Sequence, residues 1–454
     1  MKTVAVVGAG PAGVRCAQAL VRAGLRPVVI DEGLRDGGQI YRRQPEGFKR
    51  GYAALYGTEA SRAQALHQTF DALRGAIQYE SETLVWNASP GRLHLLHAGH
   101  SRDLAFDAAV ICSGATDRLM PVAGWHRAGC YSLGGAQIAL KSQACAIGEK
   151  VVFMGTGPLL YLVAAQYRKA GAQVAAVVDT SRRADLWRGL PGMLARPDVL
   201  KKGLALLGAL RGVPVYKGAQ VLEVLGEDAG GVNGLLLREA SGATRELRCD
   251  AVAMGYHLRA ETQLADLLRC PFRFDEASRQ WLPRIDSWGR APVAGVYLAG
   301  DGVRLQGADG AEASGELAAL AVLKDLGREI DERRARTLLR VLARMERFRQ
   351  GIARAFPWPH ASAASLPDRA VVCRCEGISA GELRRVVSEE GAREANRAKA
   401  FSRVGMGRCQ GRYCGHAGAE IVAAAAAVDI RDVGRLRTQA PVKPLPATTR
   451  QAQP

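Results

Sequence analysis

Four of the ten cysteines in this chain lie close together in its last fifth. Cys373 and Cys375 form the pair in "CRCEG", Cys409 and Cys414 form the pair in "CQGRYC", and 33 residues separate the pairs. Four thiolates can hold one tetrahedral zinc ion or one iron–sulfur cluster. Zinc sites prefer about two to four residues within each pair, so Cys-x-Cys favours a cluster. We predict four metal ligands here, with zinc as the alternative.

The residues around these cysteines suit a cluster. Gly405 and Gly407 lead into the second pair, and backbone N–H groups beside glycines can donate to cluster sulfurs. Ser379, with Glu382 three residues later, predicts the start of a helix between the pairs. Positive charge near the second pair would offset a net-negative cluster and raise its potential. That charge comes from Arg393, Arg397, Lys399, Arg403, Arg408 and Arg412, with Glu394 opposing it.

A glycine-rich turn near the N-terminus predicts a nucleotide-binding loop between an apolar strand and a helix. In such a loop one glycine allows the tight turn, one lets the backbone approach a pyrophosphate, and one lets helix and strand pack closely. The next strand ends in Asp31 and Glu32, where an acid can bind a ribose hydroxyl. This acid favours FAD, NAD or ATP/ADP over NADP. The predicted loop residues are Gly8, Gly10, Pro11, Ala12 and Gly13.

Three later segments of the sequence favour FAD over NAD as the ligand of this loop. They are "GGQIYR" at 37–42, the small-residue turn in "ICSGAT" at 111–116, and "YLAGDG" at 297–302, whose aspartate can bind ribityl hydroxyls. The four segments in this order resemble the thioredoxin reductase and glutathione reductase type of flavoprotein over residues 1–330. The resemblance implies two Rossmann-like domains and FAD. Its predicted ligands in these segments are Gly38, Gln39, Ser113, Gly114, Gly300 and Asp301.

A second strand–turn–helix–strand pattern covers residues 150–180. Its loop reads Gly155-x-Gly157-x-x-Leu160, so the third glycine is missing. A leucine there would push the helix from the strand or occupy the approach to a pyrophosphate. Asp179 ends the second strand and could still bind a ribose. We favour a Rossmann fold whose nicotinamide function is lost or altered over an intact NAD(P)H site.

The other six cysteines are scattered singly, without a Cys-x-x-Cys redox pair. We interpret them as small core residues, which excludes dithiol chemistry. No catalytic residue can be identified either, since none of the eight histidines has the spacing of a triad or a metal site. The single cysteines are Cys16, Cys112, Cys130, Cys145, Cys249 and Cys270.

These patterns predict an α/β fold with two Rossmann-like domains and a small C-terminal [2Fe–2S] domain. A basic helix is predicted from 331, followed by a linker, and the Pro- and Thr-rich end should be a flexible tail. The predicted divisions are a FAD-binding domain at 1–120 with a return segment at 288–330, a second, NAD-type Rossmann domain at 121–287, the helix and linker at 331–367, the cluster domain at 368–437 and the tail at 438–454.

The cysteine segment resembles the [2Fe–2S] domain of the bacterioferritin-associated ferredoxin type. In many of those domains the second pair is Cys-x-x-Cys, whereas "CQGRYC" matches a subgroup fused to flavoproteins. With "TLVWN" at 83–87 and "LGGAQIALKSQACAIG" at 133–148, nearly the whole chain resembles one family. It contains the larger accessory subunits of heteromeric amine dehydrogenases, namely opine oxidases, hydroxyproline and proline dehydrogenases, and hydrogen cyanide synthase.

This family resemblance implies an electron-transfer subunit with FAD and a [2Fe–2S] cluster. An amino-acid-oxidase-like flavoprotein subunit would oxidise the amine and pass its electrons on, and a small ferredoxin-like subunit would be a further partner. FMN at a subunit interface, ATP in place of FAD, and peripheral contact with the respiratory chain stay open. The alternatives are a stand-alone NAD(P)H-dependent ferredoxin-type reductase and an ATP- or ADP-holding structural subunit.

The amino-acid composition argues against a nucleic-acid-binding protein and against a membrane-spanning one. The net charge is +18, but the arginines are spread along the chain without an aromatic-interleaved basic motif, so no nucleic-acid partner is predicted. No run of eighteen apolar residues is present, so no transmembrane segment is predicted. The N-terminus reads as a first strand rather than a signal peptide, so we expect a cytoplasmic protein, with membrane association only through its complex.

Overall fold

A computed structural model of the chain describes residues 2–227 and 229–451. Its strands, in chain order, are β1 (Val4–Val7), β2 (Val28–Ile30), β3 (Gln78–Glu80), β4 (Thr83–Ser89), β5 (Arg92–His97), β6 (His100–Ala105), β7 (Ala108–Ile111), β8 (Ala115–Asp117), β9 (Cys130–Ser132), β10 (Lys150–Thr156), β11 (Gln173–Asp179), β12 (Val215–Lys217), β13 (Gln220–Glu227), β14 (Gly231–Arg238), β15 (Thr244–Arg248), β16 (Ala251–Tyr256), β17 (Leu258–Ala260), β18 (Phe272–Asp275), β19 (Gln280–Pro283), β20 (Val296–Leu298), β21 (Val371–Cys373), β22 (Ile378–Ser379) and β23 (Arg450–Gln451).

The helices connect these strands and form most of the last third of the chain. In chain order they are α1 (Pro11–Arg22), α2 (Tyr52–Tyr56), α3 (Ala60–Leu73), α4 (Leu133–Ser142), α5 (Pro158–Lys169), α6 (Arg183–Met193), α7 (Pro197–Ala209), α8 (Gln263–Leu267), α9 (Gly307–Asp325), α10 (Glu332–Ala355), α11 (His360–Ala364), α12 (Ala380–Glu390), α13 (Ala395–Ser402), α14 (Gly415–Ala426) and α15 (Ile430–Val433).

The first sheet is parallel, with strand order β20-β7-β1-β2-β3. β1 and β7 are apolar and buried at every position, without the alternation of a half-exposed strand. Continuous apolar strands are typical of parallel sheets covered on both faces. α1 packs against α9, and the return of the chain at β20 completes this sheet.

The second sheet repeats the architecture with strand order β12-β11-β10-β16-β9, again all parallel. α5 follows β10 as the crossover helix and packs on β10, β11 and β16. The antiparallel strands β13, β14 and β15 form a separate three-stranded sheet. Two Rossmann-like sheets in one chain agree with the predicted pair of nucleotide-binding folds.

The C-terminal part begins with the predicted basic helix, which is observed as α10. Asp331 caps it by accepting the N–H of Arg334, and its apolar stripe packs on α6 and α9. A small domain follows, in which β21 and β22 form a hairpin before α12, α13 and α14. The predicted capping box at Ser379 and Glu382 is confirmed, since each side chain accepts the backbone N–H of the other.

The prediction of a flexible tail is wrong for residues 438–451. The backbone N–H of Thr438 donates to Asp266, and the buried Val442 donates its N–H to the carbonyl of Trp86. β23 adds to the sheet of β4–β6 as a parallel strand beside β6. Backbone hydrogen bonds to distant residues overrode the Pro-rich composition, and residues 452–454 lie outside the described part. No helix in the described ranges is long and apolar enough to cross a membrane.

Candidate functional site

The first glycine loop lies at the carboxyl end of β1, where the strand order reverses between β1 and β7. Ligands of open α/β sheets bind at this position. A Cβ on Gly13 would lie 1.7 Å from the Gly8 carbonyl oxygen, so glycine lets α1 start this close to β1. α1 begins at Pro11, which has no N–H, and the Val14 N–H donates to the Gly10 carbonyl, so the N–H groups of Ala12 and Gly13 are the ones without an acceptor within the helix. They can therefore bind a phosphate.

Two of the later segments meet this loop, although they are distant in sequence. A Cβ on Gly38 would lie 2.9 Å from the Cα of Gly10, and a Cβ on Gly300 would lie 2.9 Å from the Cβ of Ala12. Side chains at either glycine would therefore collide with the loop. The fold brings "GGQIYR" and "YLAGDG" onto the N-terminus of α1, as the sequence predicts for one shared ligand.

Asp31 contacts the loop directly. Its carboxylate accepts the N–H of Ala9 at 2.5 Å and the N–H of Gly33 at 2.7 Å. A carboxylate has about four acceptor positions, so two remain for a ribose. Burial raises the pKa of Asp31. Glu32 is exposed and forms an ion pair with Lys443 instead, so the geometry favours Asp31 of the two predicted acids.

Asp301 lies at the far end of the site, in the turn between β20 and α9. Its Oδ1 accepts the N–H groups of Gln306 at 2.8 Å and Gly307 at 3.0 Å. Burial raises the pKa of this carboxyl to about 6. Oδ1 therefore orders the loop in front of α9, and Oδ2 is the oxygen left to contact a ligand.

The other predicted ligands differ in what they can offer. Ser113 Oγ donates to the carbonyl of Glu261 at 2.6 Å, which commits its proton. Gly114 has open space where a Cβ would stand, so a ligand can approach its backbone. Gln39 is exposed and accepts from Arg42 at 2.6 Å. These three residues therefore contribute to the site mainly through their backbone groups and through the turns that they form.

Sequence reasoning missed the residues that hold "GGQIYR" in place. Arg43 forms an ion pair with the buried Asp36 at 2.8 Å and donates to the carbonyl of His67 at 3.0 Å. The ring of His67 also lies 2.7 Å from the Tyr41 carbonyl oxygen. A Cβ on Gly37 would lie 3.0 Å from the same ring. The spacing of these residues carries no recognisable signal, because they meet only through the packing of α3.

These features fit FAD as the ligand of the first domain. A glycine cradle, the free N–H groups of a helix N-terminus and a partly available carboxylate suit the pyrophosphate and ribose. The Gly300 turn extends the site beyond an adenine nucleotide, toward the part that a flavin would require.

The second glycine loop has a different environment, because its acid is already engaged. Asp179 is fully buried and accepts the hydroxyl of Tyr161 at 2.6 Å and the hydroxyl of Ser181 at 2.8 Å. The N–H of Ser181 adds a third bond at 2.9 Å. Burial and the neighbouring Asp179 raise the pKa of Tyr161, which keeps it a neutral donor. Leu160 is fully buried in the core of the second domain rather than facing the loop.

The segment after α10 covers the same loop. A Cβ on Gly157 would lie 3.2 Å from the ring of His257, and that ring contacts the carbonyl of Phe356 at 2.5 Å. Phe356 packs in the core that contains Leu160. Burial lowers the pKa of His257 to about 4. His257 and the segment at Phe356 therefore lie directly beside the second glycine loop.

The four cysteines of the C-terminal domain are brought together by β21, the loop after it and the N-terminus of α14. Hydrogen bonds link Cys373 with Cys414, Cys414 with Cys409, and Cys409 with Cys375. Cys373 and Cys414 are buried, while Cys375 and Cys409 are partly exposed. A Cβ on Gly407 would lie 2.2 Å from the Cβ of Cys375, so glycine is needed for the two loops to meet.

Backbone N–H groups point at these sulfurs, as the flanking glycines predict. Bonds from Cys414 and from the N–H of Gly405 lower the pKa of Cys373 to about 6. Cys414, with the N–H groups of Tyr413 and Gly411, lowers the pKa of Cys409 to about 5. Burial raises the pKa of Cys375, and hydrogen bonds to Cys373 and Cys409 raise that of Cys414, so thiolate character is concentrated on Cys373 and Cys409. Four adjoining thiols, two of them with thiolate character and backbone donors, fit an iron–sulfur cluster.

Two structural findings refine this metal centre. Among residues 2–227 and 229–451, no three or more His, Cys, Asp or Glu side chains are arranged to hold a single metal ion. The predicted excess of positive charge is also smaller than expected. Arg412 pairs with Glu261 at 2.8 Å and Arg403 pairs with Glu376 at 3.0 Å, while Glu394 caps α13. Glu261 lies 151 residues from Arg412, so the sequence did not indicate this pairing.

Comparison with known proteins agrees with this division into two parts. Residues 2–315 match the family described as pyridine nucleotide-disulphide oxidoreductase, and residues 371–424 match the BFD-like [2Fe-2S] binding domain. The structure resembles L-proline dehydrogenase from P. horikoshii, with a TM-score of 0.71 and 17% identity over 98% of this chain and 79% of that chain. Thioredoxin reductase from T. acidophilum matches with a TM-score of 0.52 and 19% identity, over 72% and 99%.

The fold and the matched residues define a pyridine nucleotide-disulphide oxidoreductase with a C-terminal BFD-like [2Fe-2S] domain. The family matches indicate FAD and a [2Fe–2S] cluster, which confirms the predicted fold class and this pair of cofactors. Within this class the chain belongs to the family of the A-type subunits of opine oxidase. It is 35% identical to the A-type opine oxidase subunit of Rhizobium meliloti, over 97% of this chain and 86% of the relative.

A second relative extends the same family. Hydrogen cyanide synthase subunit HcnB from Pseudomonas aeruginosa is 29% identical, over 97% of this chain and 96% of the relative. Both relatives carry names of enzyme subunits. The oxidoreductase class is likewise supported by the flavoprotein family and these relatives.

Proposed function

We propose that this chain is the electron-transfer subunit of a heteromeric amine dehydrogenase of the opine-oxidase type. The observation that carries the proposal is the contrast between its two nucleotide loops. Asp31 of the first loop keeps acceptor positions for a ligand, whereas Asp179 of the second is engaged by Tyr161 and Ser181. A chain without a free nicotinamide site needs a partner to supply electrons, and its four cysteines provide a route for them to leave.

The proposed division of labour assigns FAD to the first site. When bound, FAD accepts two electrons and releases them singly, which suits transfer to a [2Fe–2S] cluster. The N–H groups at the start of α1 would bind the pyrophosphate, Asp31 the adenosine ribose and Asp301 the ribityl chain. The proposed FAD contacts are Gly8, Gly10, Pro11, Ala12, Gly13, Asp31, Gly38, Gln39, Ser113, Gly114, Gly300 and Asp301.

The cluster domain contributes the second half of the route. Cys373, Cys375, Cys409 and Cys414 would ligate the two irons, and the N–H groups of the flanking glycines would stabilise the sulfurs. Gln263 lies in α8, whose Leu264 packs in one core with β1 of the first sheet, and it donates to the carbonyl of Gln410 at 3.1 Å, which ties this sheet to the loop after Cys409. This contact supports direct transfer between the two halves of one chain.

The partner in this proposal is an amino-acid-oxidase-like flavoprotein that oxidises the amine. Its binding surface would include the exposed apolar side chains on α6 and α7, hereafter the α6–α7 face. No residue of α7 is buried, and large apolar side chains of this face are exposed. Exposed apolar patches of this kind mark interaction sites. Their exposed fractions are 73% for Trp187, 59% for Leu194, 68% for Leu204 and 43% for Leu207.

Anaerobic titration of the purified, flavin-loaded chain with NADH tests the proposal. We expect the flavin absorbance to persist, because Tyr161 engages Asp179 and the segment at Phe356 lies beside the second glycine loop. Dithionite is the control, since it should bleach the flavin and the cluster without a partner. Rapid bleaching by NADH alone would establish a stand-alone reductase instead. Adenine nucleotide released on denaturation, without flavin absorbance, would indicate the structural alternative.

A further inference from the structure

A cavity of about 100 Å³ lies between residues 258–283 and the cluster domain. On one side it is lined by β17, by the start of α8 and by the β18–β19 hairpin. On the other side it is lined by the loop after Cys409 and by the N-terminus of α14. Gln410 and His416 belong to this second wall and adjoin cluster cysteines in sequence. No predicted site residue lines this cavity, although Gln263 and Gln410, which join its two walls, do.

The walls of the cavity are rich in positive charge. Five arginines line it, against Glu420 as the one lining carboxylate among the described residues. Arg279 forms a bidentate pair with Glu420, at 3.0 and 2.8 Å. Arg259 pairs with Glu261 at 3.2 Å, but Glu261 is shared with Arg412. Arg435 forms a bidentate pair with Asp266, so Arg118 and Arg437 are the lining arginines without an ion pair in the described part of the chain, and their charge favours an anion in the cavity.

Arg118 is a deeply buried cation of this wall that has no carboxylate partner within the described ranges. It is only 2% exposed, and its two Nη atoms donate to the carbonyls of Ser278 at 2.7 Å and Arg279 at 3.1 Å. Its guanidinium stacks 3.9 Å above the ring of Trp358, while its Nε has no partner. Burial lowers the pKa of Arg118 to about 9. Glu420 is the opposite charge that acts on Arg118, but Glu420 already forms the bidentate pair with Arg279, so an anion in the cavity would stabilise this buried cation.

Two further polar groups on the cavity wall lack hydrogen-bond partners, and one of them is a donor while the other is an acceptor. Trp281 Nε1 is a buried donor without an acceptor. Gln263 is 5% exposed, and its Oε1 is an acceptor without a donor. A ligand that satisfies both, together with Arg118, needs anionic oxygens and one hydroxyl.

We propose that this cavity binds a small oxyanion that carries its own O–H group. Its anionic oxygens accept from Arg118 Nε and Trp281 Nε1, and its hydroxyl donates to Gln263 Oε1. Hydrogenphosphate and a small hydroxycarboxylate share this chemistry, whereas sulfate has the charge without the hydroxyl. Because the wall adjoins Cys409 and Cys414, the bound anion also lowers the reduction potential of the cluster.

Calorimetric titration of the full chain in its cofactor-loaded form tests the site, with inorganic phosphate, glycolate and sulfate as probes. Phosphate or glycolate should bind at least about tenfold more tightly than sulfate, since one buried acceptor is satisfied only by the hydroxyl. The stronger of the two identifies which oxyanion source the site prefers. In a redox titration the same probe should shift the cluster potential downward.

Two variants separate this cavity from adventitious surface binding. Trp281→Phe removes the unpartnered Nε1 donor together with part of the ring and should weaken phosphate or glycolate binding about tenfold. Gln263→Met removes the acceptor and should abolish the preference over sulfate. Trp288→Phe is the matched control, because Trp288 packs against Arg290 and Lys324 away from the cavity. Absence of binding, or binding equal in all variants, would overturn the proposal and leave a cavity that holds only water.

Discussion

At the scale of residues, the two acids at the ends of β2 and β11 show that the same sequence pattern can lead to two different structural roles. Asp31 and Asp179 each follow a glycine loop, and by sequence each could bind a ribose. In the fold, Tyr161 contributes a hydroxyl to Asp179, whereas Asp31 accepts backbone N–H groups and keeps acceptor positions. The difference depends on side chains one helical turn past each loop, so the loop pattern alone cannot reveal it.

The cysteine assignment gives the first prediction at this scale. Cys373→Ser should abolish the visible absorbance of the cluster and most of the bound iron, because Cys373 is buried in the hydrogen-bonded thiol group. Iron analysis and absorption spectra measure both effects. Cys145→Ser is the matched control, since Cys145 is exposed and away from the group. An unchanged cluster spectrum in Cys373→Ser would disprove the assignment.

Tyr161 gives a second prediction. Tyr161→Phe removes the 2.6 Å bond to the buried Asp179 and should reduce the free energy of unfolding by about 1–3 kcal/mol. Denaturant titration followed by tryptophan fluorescence measures the change. Tyr131→Phe provides the comparison, because Tyr131 is 42% exposed. Equal stability of the two variants would show that the bond contributes nothing to the second domain.

The burial of His257 predicts that the stability of the chain depends on pH. Burial lowers its pKa to about 4 in the folded chain, from about 6.5 in an unfolded one. Between these values the unfolded state binds more protons, so stability is lost as the pH falls from about 6.5 to about 4. His257→Gln keeps a donor for the Phe356 carbonyl without titrating. Its denaturation midpoint should fall less than wild type between pH 7 and pH 5, and an identical fall would contradict this role.

At the scale of elements, the second domain is tied to the C-terminal part by close contact between α6 and α10. A Cβ on Gly351 would lie 2.5 Å from the backbone nitrogen of Met193, and one on Gly189 would lie 2.4 Å from the Gly351 carbonyl oxygen. Backbones this close leave no space for a side chain. The contact holds α10 so that Phe356 reaches the second glycine loop.

This contact predicts opposite effects for two glycine substitutions. Gly351→Ala should destabilise the chain by about 1–3 kcal/mol through overpacking. Gly203→Ala in α7 should be neutral or stabilising by up to about 1 kcal/mol, since nothing lies within 4 Å of a Cβ there. Thermal unfolding of both variants measures the difference. A stabilised Gly351→Ala would show that the helices can separate at little cost.

Sequence analysis identified the elements whose signals come from residues close together in the chain. The glycine loops, the capping box at Ser379 and the helix from 331 depend on neighbours a few residues apart. The engagement of Asp179, the pairing of Arg412 with Glu261 and the ordered segment around Val442 depend on contacts between distant parts of the chain. The prediction of a flexible tail was wrong for that last segment because Pro- and Thr-rich composition indicates a tail only where the rest of the chain offers no surface to bind it.

At the scale of the whole molecule, the α6–α7 face predicts how the complex assembles. Leu204→Glu should weaken the complex with the oxidase-like partner by at least about tenfold, because it places a charge within an apolar contact. Co-purification and calorimetric titration measure the loss, with unchanged flavin and iron content as the fold control. Val341→Glu is the matched variant, exposed to 37% on α10 outside this face. Equal weakening by both variants, or none, would place the interface elsewhere.

Electron flow through the assembled complex is the most direct test of the central claim. The measurement is electron paramagnetic resonance of the complex, frozen after anaerobic mixing with an opine or with NADH. We predict that the opine produces the signal of the reduced [2Fe–2S] cluster, that NADH does not, and that Cys373→Ser removes the signal. Reduction of the cluster by NADH, or no cluster signal while the opine is oxidised, would contradict the account.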